Sequence, residues 1–316
     1  MKLKVNVMLI TKNKFIRKKS FDIVAIGALI IAMIVWASSF IAIKATLPSI
    51  EPMSIIFGRM FVASLCFVYF IKSFKKFNFT KKDVKFIMLM VLFEPCLYFI
   101  FEAQAILYTT AGQAGMMTSM MPLITAIGAG IFLKEFISKK LILGSVIAMA
   151  GALWLSLSSI GTEYATNPIL GNSLEFMAMV CGAGYAITIR YLSKKFSALF
   201  LTAIQSFAGF FFFMPFAIWE YNTVMMNFNL NAILWVVYLG VVVTLGGYGL
   251  FNFSLGRMEV SKAGMFINLI PIFTIVLAFL VLGETLAYIQ MVASVVILFG
   301  VLITQIPMSK IKLIFS

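Results

Sequence analysis

The sequence predicts an all-α, polytopic membrane protein whose ten transmembrane helices form two inverted five-helix repeats around a central cavity. Three observations predict this fold class: an apolar composition, a series of long apolar runs, and an internal repeat. Of the 316 residues, 62% are hydrophobic and 11% are charged, whereas a soluble domain has about 45–50% and about 25%. A soluble fold has no interior large enough to bury so much apolar surface, so a lipid environment is expected.

The apolar runs predict the ten helices. Each run is about 20 residues long, and a helix of that length crosses the roughly 30 Å hydrocarbon core of a bilayer. The connections between runs, such as 107–110 and 283–285, are too short to hold a folded domain. The runs lie near residues 21–43, 52–71, 84–106, 111–133, 140–159, 171–190, 198–218, 231–254, 261–282 and 286–306.

The basic residues predict the orientation of these helices. With the N-terminus inside, all of the 25 lysine and arginine residues except Lys44 and Arg59 fall on the inner side. The positive-inside rule therefore predicts a multi-pass protein of the cell membrane, plasma or inner, with both termini in the cytoplasm. The predicted domains are a basic cytoplasmic tail at 1–20, the first repeat at 21–159, an outer linker at 160–170, the second repeat at 171–306 and a cytoplasmic tail at 307–316.

The net charge of +14 follows from this topology. A nucleic-acid-binding protein gathers its basic residues in one patch, whereas here they stand in short clusters between apolar runs. We therefore expect membrane lipid, and no nucleic acid, among the partners of the chain.

Residue types that are absent or rare exclude several function classes. The chain has no histidine, which excludes histidine metal sites and Ser-His triads. It has no G-x-x-x-x-G-K-[ST] phosphate loop, so ATP hydrolysis is not expected. The three cysteines lie inside apolar runs and indicate no disulfide framework. The sequence thus predicts a protein that is not an enzyme and that holds no cofactor or metal.

An internal repeat divides the chain into two halves. Residues 114–155 align without gaps over 263–304, and the pairs Pro122/Pro271 and Glu135/Glu284 are among the identities. Each half has five predicted spans, and because five is odd, the second half enters the membrane inverted. Inverted repeats are typical of secondary transporters, in which the two halves open a central site to each side in turn. Duplication in a membrane protein that transports nothing is the alternative.

Short motifs stand in a fixed order along nearly the whole chain. They are 36–44, Arg59 with Ala63, 105–112, Pro122 with Leu123, 132–135, 185–190, Pro271 and 282–284. In order and spacing, this set resembles EamA-type members of the drug/metabolite transporter superfamily. The resemblance implies ten helices around a central cavity, alternating access, and export of amino acids or other small metabolites without ATP. Lys134, Glu94 and Glu102 depart from the family pattern.

Arg59 and Glu102 are charged residues inside predicted spans. Such charges are costly in lipid and by default face a cavity or one another. At 1.5 Å per residue, both lie roughly 10 Å from the predicted outer boundary, so their depth favours a pair. Two roles remain open: an ion pair that locks two helices, and binding of a substrate carboxylate by the planar guanidinium of Arg59.

Glu94 lies near the middle of the bilayer and, by its depth, lacks a cationic partner. Pro95 follows it, removes one backbone donor and bends the helix. We expect Glu94 to bind and release a proton in competition with a cationic substrate, which makes protons the candidate coupling ion. The alternative is a protonated glutamic acid that donates a hydrogen bond to a backbone carbonyl.

Further polar residues in the spans are candidates for the wall of the cavity. Trp36 and Ser39 enter this set through the family resemblance alone. We expect three prolines, Pro95, Pro122 and Pro271, to bend their helices. The candidates taken from the residues themselves are Tyr98, Gln104, Tyr185, Tyr248, Asn252 and Asn268.

The function predicted from these features is secondary active transport, with export of small organic metabolites such as amino acids or amines. An importer on the same fold is the nearest alternative. A membrane-embedded enzyme and a channel are further alternatives, and saturable exchange of a labelled substrate would argue against the channel. Gly144, Gly151, Ala293 and Gly300 either pack the fifth and tenth helices within one chain or form the face of a homodimer.

Overall fold

The computed structural model describes residues 22–70, 78–133, 139–162, 165–255, 257 and 266–305. Within these ranges the protein consists mainly of helices joined by short turns and loops, and it has no β-strand, only an isolated β-bridge between Thr162 and Ala165. The predicted all-α class is therefore confirmed. In chain order the α-helices are α1 (Ile23–Thr46), α2 (Pro52–Phe70), α3 (Lys81–Val91), α4 (Tyr98–Tyr108), α5 (Ala111–Met117), α6 (Met120–Leu133), α7 (Lys139–Leu157), α8 (Pro168–Leu192), α9 (Ala198–Thr223), α10 (Leu230–Tyr238), α11 (Tyr248–Leu255), α12 (Ile270–Leu277) and α13 (Tyr288–Gln305).

Side chains next to the helix ends explain where several helices begin. The Asp22 carboxylate accepts a hydrogen bond from the backbone N–H of Ala25 and so caps α1. At the start of α3, Thr80 and Asp83 form a reciprocal capping box, in which each side chain accepts a bond from the other residue's backbone N–H. Asn167 caps α8, whose first residue is Pro168, and α8 thus begins three residues before the predicted span.

Four of the predicted spans are interrupted rather than continuous helices. Wider, π-helical turns at Leu92–Leu97 join α3 to α4, and similar turns at Leu239–Gly247 join α10 to α11. The predicted span at 111–133 breaks between Met117 and Met120, and the span at 261–282 contains a 3-10 turn at Ile267–Leu269 before α12. Apolar runs indicate only that a segment is buried or faces lipid, so they do not show such breaks.

Five helical segments are long and apolar enough to cross a membrane: Ile23–Thr46, Pro52–Tyr69, Lys81–Tyr108, Leu199–Thr223 and Leu230–Phe251. Three shorter apolar helices lie at Ile142–Leu157, Ile267–Leu282 and Tyr288–Ile303. Multiple apolar helices support a multi-pass membrane protein. The count of ten spans, and the domain boundaries derived from it, stay predictions.

The helices of the two halves pack in reciprocal pairs. In the first half, α1 packs against α11 and α12, which belong to the second half. Its counterpart in the repeat, α8, packs in the same way against α4 and α6. The second helices of the halves, α2 and α9, pair with each other, and so do the fifth, α7 and α13. This pattern is what two repeated units related by a two-fold axis would produce.

Small residues bring α7 and α13 together within one chain. A Cβ atom on Gly300 would lie 2.5 Å from the backbone nitrogen of Ala148, and one on Gly151 would lie 2.9 Å from the backbone nitrogen of Ile297. No side chain fits at either distance, so glycine is required for this contact. Of the two roles that the sequence leaves open for these glycines, the structure shows packing inside the monomer.

Candidate functional site

Arg59 is a buried arginine on α2, with 3% of its surface exposed. Its Nε donates a hydrogen bond to the hydroxyl of Thr244, at 2.9 Å, and Thr244 belongs to the second half of the chain. The guanidinium also lies over the ring of Phe99, 4.4 Å from its centroid. A charge held by a hydroxyl and an aromatic face keeps further N–H donors free for a carboxylate.

Glu102 on α4 supplies that carboxylate. Its Oε2 lies 3.8 Å from Nη1 of Arg59, and both side chains are buried. Its Oε1 accepts a hydrogen bond from the hydroxyl of Tyr98, at 3.1 Å, one turn earlier on the same helix. The sequence prediction that Arg59 lies beside Glu102 thus agrees with the geometry.

Glu94 lies at the interruption between α3 and α4. Its backbone is extended, with φ −147° and ψ 118°, and the following Pro95 has no N–H to donate. The carboxylate accepts a hydrogen bond from the hydroxyl of Tyr248. The Glu94 carbonyl oxygen accepts one from Nε2 of Gln205, at 3.3 Å, and Gln205 in turn accepts one from the Tyr185 hydroxyl, at 3.4 Å.

Glu94 also interacts electrostatically with Arg59 and Glu102. Among the described residues, however, no ion pair within 4.0 Å joins Glu94 to a lysine or arginine, so the absence of a direct cationic partner stays a prediction. The depth argument assumed a regular rise of 1.5 Å per residue between positions 94 and 102, and the wide turns at Leu92–Leu97 change that spacing. We refer to Arg59, Glu94 and Glu102 as the central charged cluster.

A small cavity of about 10 Å³ opens beside the cluster, room for about one water molecule. Glu94, Pro95 and Phe99 line it from the first half of the chain, and Gln205, Thr244 and Tyr248 line it from the second. A larger cavity of about 400 Å³ lies between α2, α9 and α10, and it is lined almost entirely by apolar side chains. We place the candidate site at the smaller cavity, because specific recognition needs polar groups.

Glu175 on α8 is a buried acid that the sequence reading missed. Its relative exposure is 0%, and in the described part of the chain neither of its carboxylate oxygens has a hydrogen-bond partner. It interacts electrostatically with Glu102. The signal that singles out Glu94, an acid inside an apolar run, is present at Glu175 too.

Two charged residues stabilise helix ends at the side that the sequence predicts to be outer. Glu284 accepts hydrogen bonds from the backbone N–H groups of Ala111 and Gly112, each at 3.0 Å, and so caps the start of α5. Lys44 donates to the carbonyl oxygens of Ile106 and Thr109, each at 2.7 Å, at the end of α4. Both satisfy backbone groups that a helix end leaves unpaired, and the two charges interact.

The remaining predicted site residues take different positions. Trp36 packs edge-on against Tyr248, with 5.2 Å between ring centroids, and Ser39 donates to the Trp36 carbonyl oxygen at 2.7 Å. Gln104 takes no part in the hydrogen bonds of the cluster. Asn268, on the 3-10 turn before α12, has a buried Oδ1 without a partner among the described residues. Asn252 lies on α11, and its side chain is outside the described part of the structure.

The three prolines lie where helices are interrupted. Pro95 lies in the Leu92–Leu97 turns, and Pro271 lies in the first turn of α12. Pro122 is in the first turn of α6, directly after the break at Thr118 and Ser119. The positions agree with the chemistry of proline, which cannot donate the hydrogen bond of a helix interior.

A comparison with protein-family models identifies the chain. The model of the EamA-like transporter family matches residues 23–157 and again 169–306, one match for each half. The chain belongs to the EamA-like transporter family. It is therefore a membrane transporter with a small-molecule substrate, and membership points to transport rather than to catalysis. The double match agrees with the internal repeat.

Similar proteins are also described as transporters. The EamA-like chain is 28% identical to the uncharacterized transporter YcxC of Bacillus subtilis over 86% of this chain and 89% of that protein. It is 22% identical to a probable terminal-alkyne amino-acid exporter of Streptantibioticus cattleyicolor, over 88% and 92%. A protein of known crystal structure shares the fold, with a TM-score of 0.59 and 14% identity over 88% of this chain and 96% of that one.

Proposed function

We propose that this protein is a secondary active transporter that exports small organic amines or amino acids by alternating access. One observation carries the proposal: the central charged cluster is buried between the two halves of the chain. Arg59, Glu94 and Glu102 come from the first half, while Thr244 and Tyr248, which bond to two of them, come from the second. If the halves move relative to each other, these contacts must change.

The chemistry of the cluster supports an amino compound as substrate. Buried charges in a membrane are costly, and their default role is in transport pathways. The guanidinium of Arg59 has the planar donor geometry that suits a carboxylate. Glu94 and Glu102 offer acceptors for an ammonium group. An amino acid presents both groups, and an amine presents one.

Protons are the coupling ion in this proposal, and Glu94 is the group that carries them. Glu94 sits at a helix interruption beside a cavity of about one water, with Tyr248 as its hydrogen-bond donor. A proton on Glu94 removes one negative charge from the cluster, and this weakens the binding of a cationic substrate. Inward proton movement then drives outward movement of the amine, because the two bind in turn.

We also propose a direction of transport and a location of the protein in the cell. The amino-acid exporter of Streptantibioticus cattleyicolor is named for export, and that name supports the same direction here. The distribution of basic residues supports the plasma or inner membrane with both termini in the cytoplasm.

An untargeted comparison of metabolites tests the proposal. Cells that produce the protein are compared with cells that produce the variant Arg59→Gln, and Asp22→Asn, at a partly exposed acid outside the cluster, serves as the matched control. We expect the Arg59→Gln cells to retain more of one or a few small amino compounds, and the Asp22→Asn cells to match the wild type. Equal retention of every amino compound in all three strains would contradict export.

A further inference from the structure

Three carboxylate oxygens near the central charged cluster are buried without a hydrogen-bond partner in the described part of the chain. Two of them are Oε1 and Oε2 of Glu175, and the third is Oε2 of Glu102. Arg59 is the cation beside Glu102, at 3.8 Å, which is longer than a hydrogen bond. Native proteins leave few buried polar atoms unpaired, so three on two helices that pack together require an explanation.

Glu175 and Glu102 lie on two helices, α8 and α4, that pack along each other, and the two carboxylates interact electrostatically. Near one end of this contact, Asn172 on α8 accepts a hydrogen bond from Thr109 at the end of α4, at 3.0 Å. Further along α8, a Cβ atom on Gly182 would lie 3.4 Å from the Tyr98 ring at the start of α4. Glu175 is one turn after Asn172 on the same helix face. It thus lies opposite the middle of α4, where Glu102 is.

Protonation alone does not satisfy these oxygens. An ionised carboxylate needs donors, and a protonated one still needs an acceptor for its O–H and a donor for its second oxygen. Either form of Glu175 therefore leaves buried polar atoms unpaired in this structure, and that is unfavourable. A ligand that brings several donors would remove the cost.

We infer that Glu175 and Glu102 together bind the primary ammonium group of the transported substrate. A primary ammonium has three N–H donors, one for each of the three unpartnered oxygens. The described residues contain no group of three or more histidine, cysteine or acidic side chains that could hold a metal ion. The flexible side chain of Met121, beside Gly182 and Tyr98, can rotate to admit a small group.

This inference rests on the proposed function and adds two points to it. It narrows the substrate class to compounds with an unsubstituted ammonium group, and it assigns that group to Glu175 and Glu102 instead of Glu94 and Glu102. Glu94 is then left to carry the proton, since Tyr248 already donates a hydrogen bond to it. All three oxygens are shielded in this structure, so the ammonium reaches them when the bundle opens.

Direct binding to the purified full-length protein in detergent tests the inference. The probe is n-butylammonium at pH 7, measured by calorimetric titration. Butyltrimethylammonium, which has the same charge without N–H donors, and n-butanol, which has no charge, are the matched controls. We expect the wild type to bind n-butylammonium at least about tenfold more tightly than either control, because charge-assisted hydrogen bonds need the N–H groups.

Two variants locate the site. Glu175→Gln should weaken n-butylammonium binding at least about tenfold, because it removes the charge, whereas Glu51→Gln, at an acid outside the spans, should leave it unchanged. Glu175→Leu, which buries no polar side-chain atom, should weaken n-butylammonium binding to the same extent. It replaces Glu175→Gln in the measurement if the Gln variant does not fold. Unchanged affinity in a folded Glu175 variant, or equal binding of butyltrimethylammonium by the wild type, would overturn the inference.

The binding measurement and the export measurement fail in different ways. If cells export a metabolite through the protein but the purified protein binds no n-butylammonium, the ammonium site is wrong and transport stands. If the protein binds n-butylammonium through Glu175 but no metabolite differs between strains, the site stands as an ammonium site and the proposed export is wrong.

Discussion

Tyr248 on α11 donates a hydrogen bond to the carboxylate of Glu94, at the break between α3 and α4. This contact joins the second half of the chain to the first at the point where the backbone departs from the helix. Arg59 makes a comparable contact across the halves with Thr244. The two hydrogen bonds place a buried carboxylate and a fixed positive charge at one interface.

Arg59 and Glu102 should be energetically coupled. Because either residue alone leaves an uncompensated buried charge, Arg59→Ala and Glu102→Ala should each lower the free energy of unfolding by about 3–5 kcal/mol. The double variant should lose less than the sum of the two losses. Thermal unfolding in detergent, together with export, measures the cycle.

A second ion pair is the control for that cycle. Arg257 and Asp22 lie 3.5 Å apart and are partly exposed, so their coupling should be between zero and about 1 kcal/mol. If the losses at Arg59 and Glu102 are additive, so that their coupling energy is no larger than that of the control pair, the two buried residues act separately.

Glu175→Leu should make the ligand-free protein more stable. The leucine removes two unpaired carboxylate oxygens from the interior, and each buried unpaired polar group costs about 1–3 kcal/mol. We expect a higher midpoint of thermal unfolding together with lost substrate binding, the trade-off that is typical of binding residues. A lower midpoint in Glu175→Leu would indicate that Glu175 has a stabilising partner.

Glu284→Ala should destabilise the start of α5. The change removes the acceptor for the N–H groups of Ala111 and Gly112, and loss of a helix cap costs about 0.5–2 kcal/mol. Thermal unfolding measures the effect, and Asn222→Ala, at an exposed position on α9, is the control. An unfolding midpoint in Glu284→Ala equal to that of the control would show that the cap contributes nothing.

The predicted topology can be tested at two exposed positions. Lys194 lies just before the start of α9 and Met225 just after its end, and both side chains are exposed. Each position is replaced by a single cysteine. In a cysteine-free background, an impermeant thiol reagent added to intact cells should label position 225 and not position 194. The reverse pattern would invert the orientation.

The sequence predicts the helices and the two halves well, because both rest on local patterns. Apolar runs mark the helices, and the repeat explains why α1 packs on α11 and α12 as α8 packs on α4 and α6. The break at Leu239–Gly247 has no proline to signal it. Gly247 there faces Trp36, and a Cβ atom would lie 2.6 Å from the indole nitrogen. The need for glycine at position 247 comes from this contact with α1, which the local sequence around Gly247 does not show.

The candidate site can likewise be predicted only in part, because local sequence patterns reveal some of its residues and not others. Arg59, Glu94 and Glu102 stand out because each is a charge in an apolar run. Thr244 and Gln205 are ordinary polar residues in their own helices, and their roles arise from contacts with Arg59 and Glu94 across the halves. No local pattern encodes such contacts.

The central claim, proton-driven export through Glu94, is tested most directly in reconstituted vesicles. The measurement is transport of the amine found by the metabolite comparison, as a function of pH and with an imposed proton gradient. Glu51→Gln is the matched control, because partial burial and the nearby charge of Glu220 raise the pKa of Glu51, which lies away from the cluster.

In these vesicles we expect the wild type and Glu51→Gln to accumulate the amine against its gradient when protons flow the opposite way. Glu94→Gln should remain folded, lose accumulation, and show transport that no longer depends on pH, since the group that carries the proton is gone. If Glu94→Gln still accumulates the amine with an unchanged pH profile, Glu94 is not the coupling residue and the central claim is wrong.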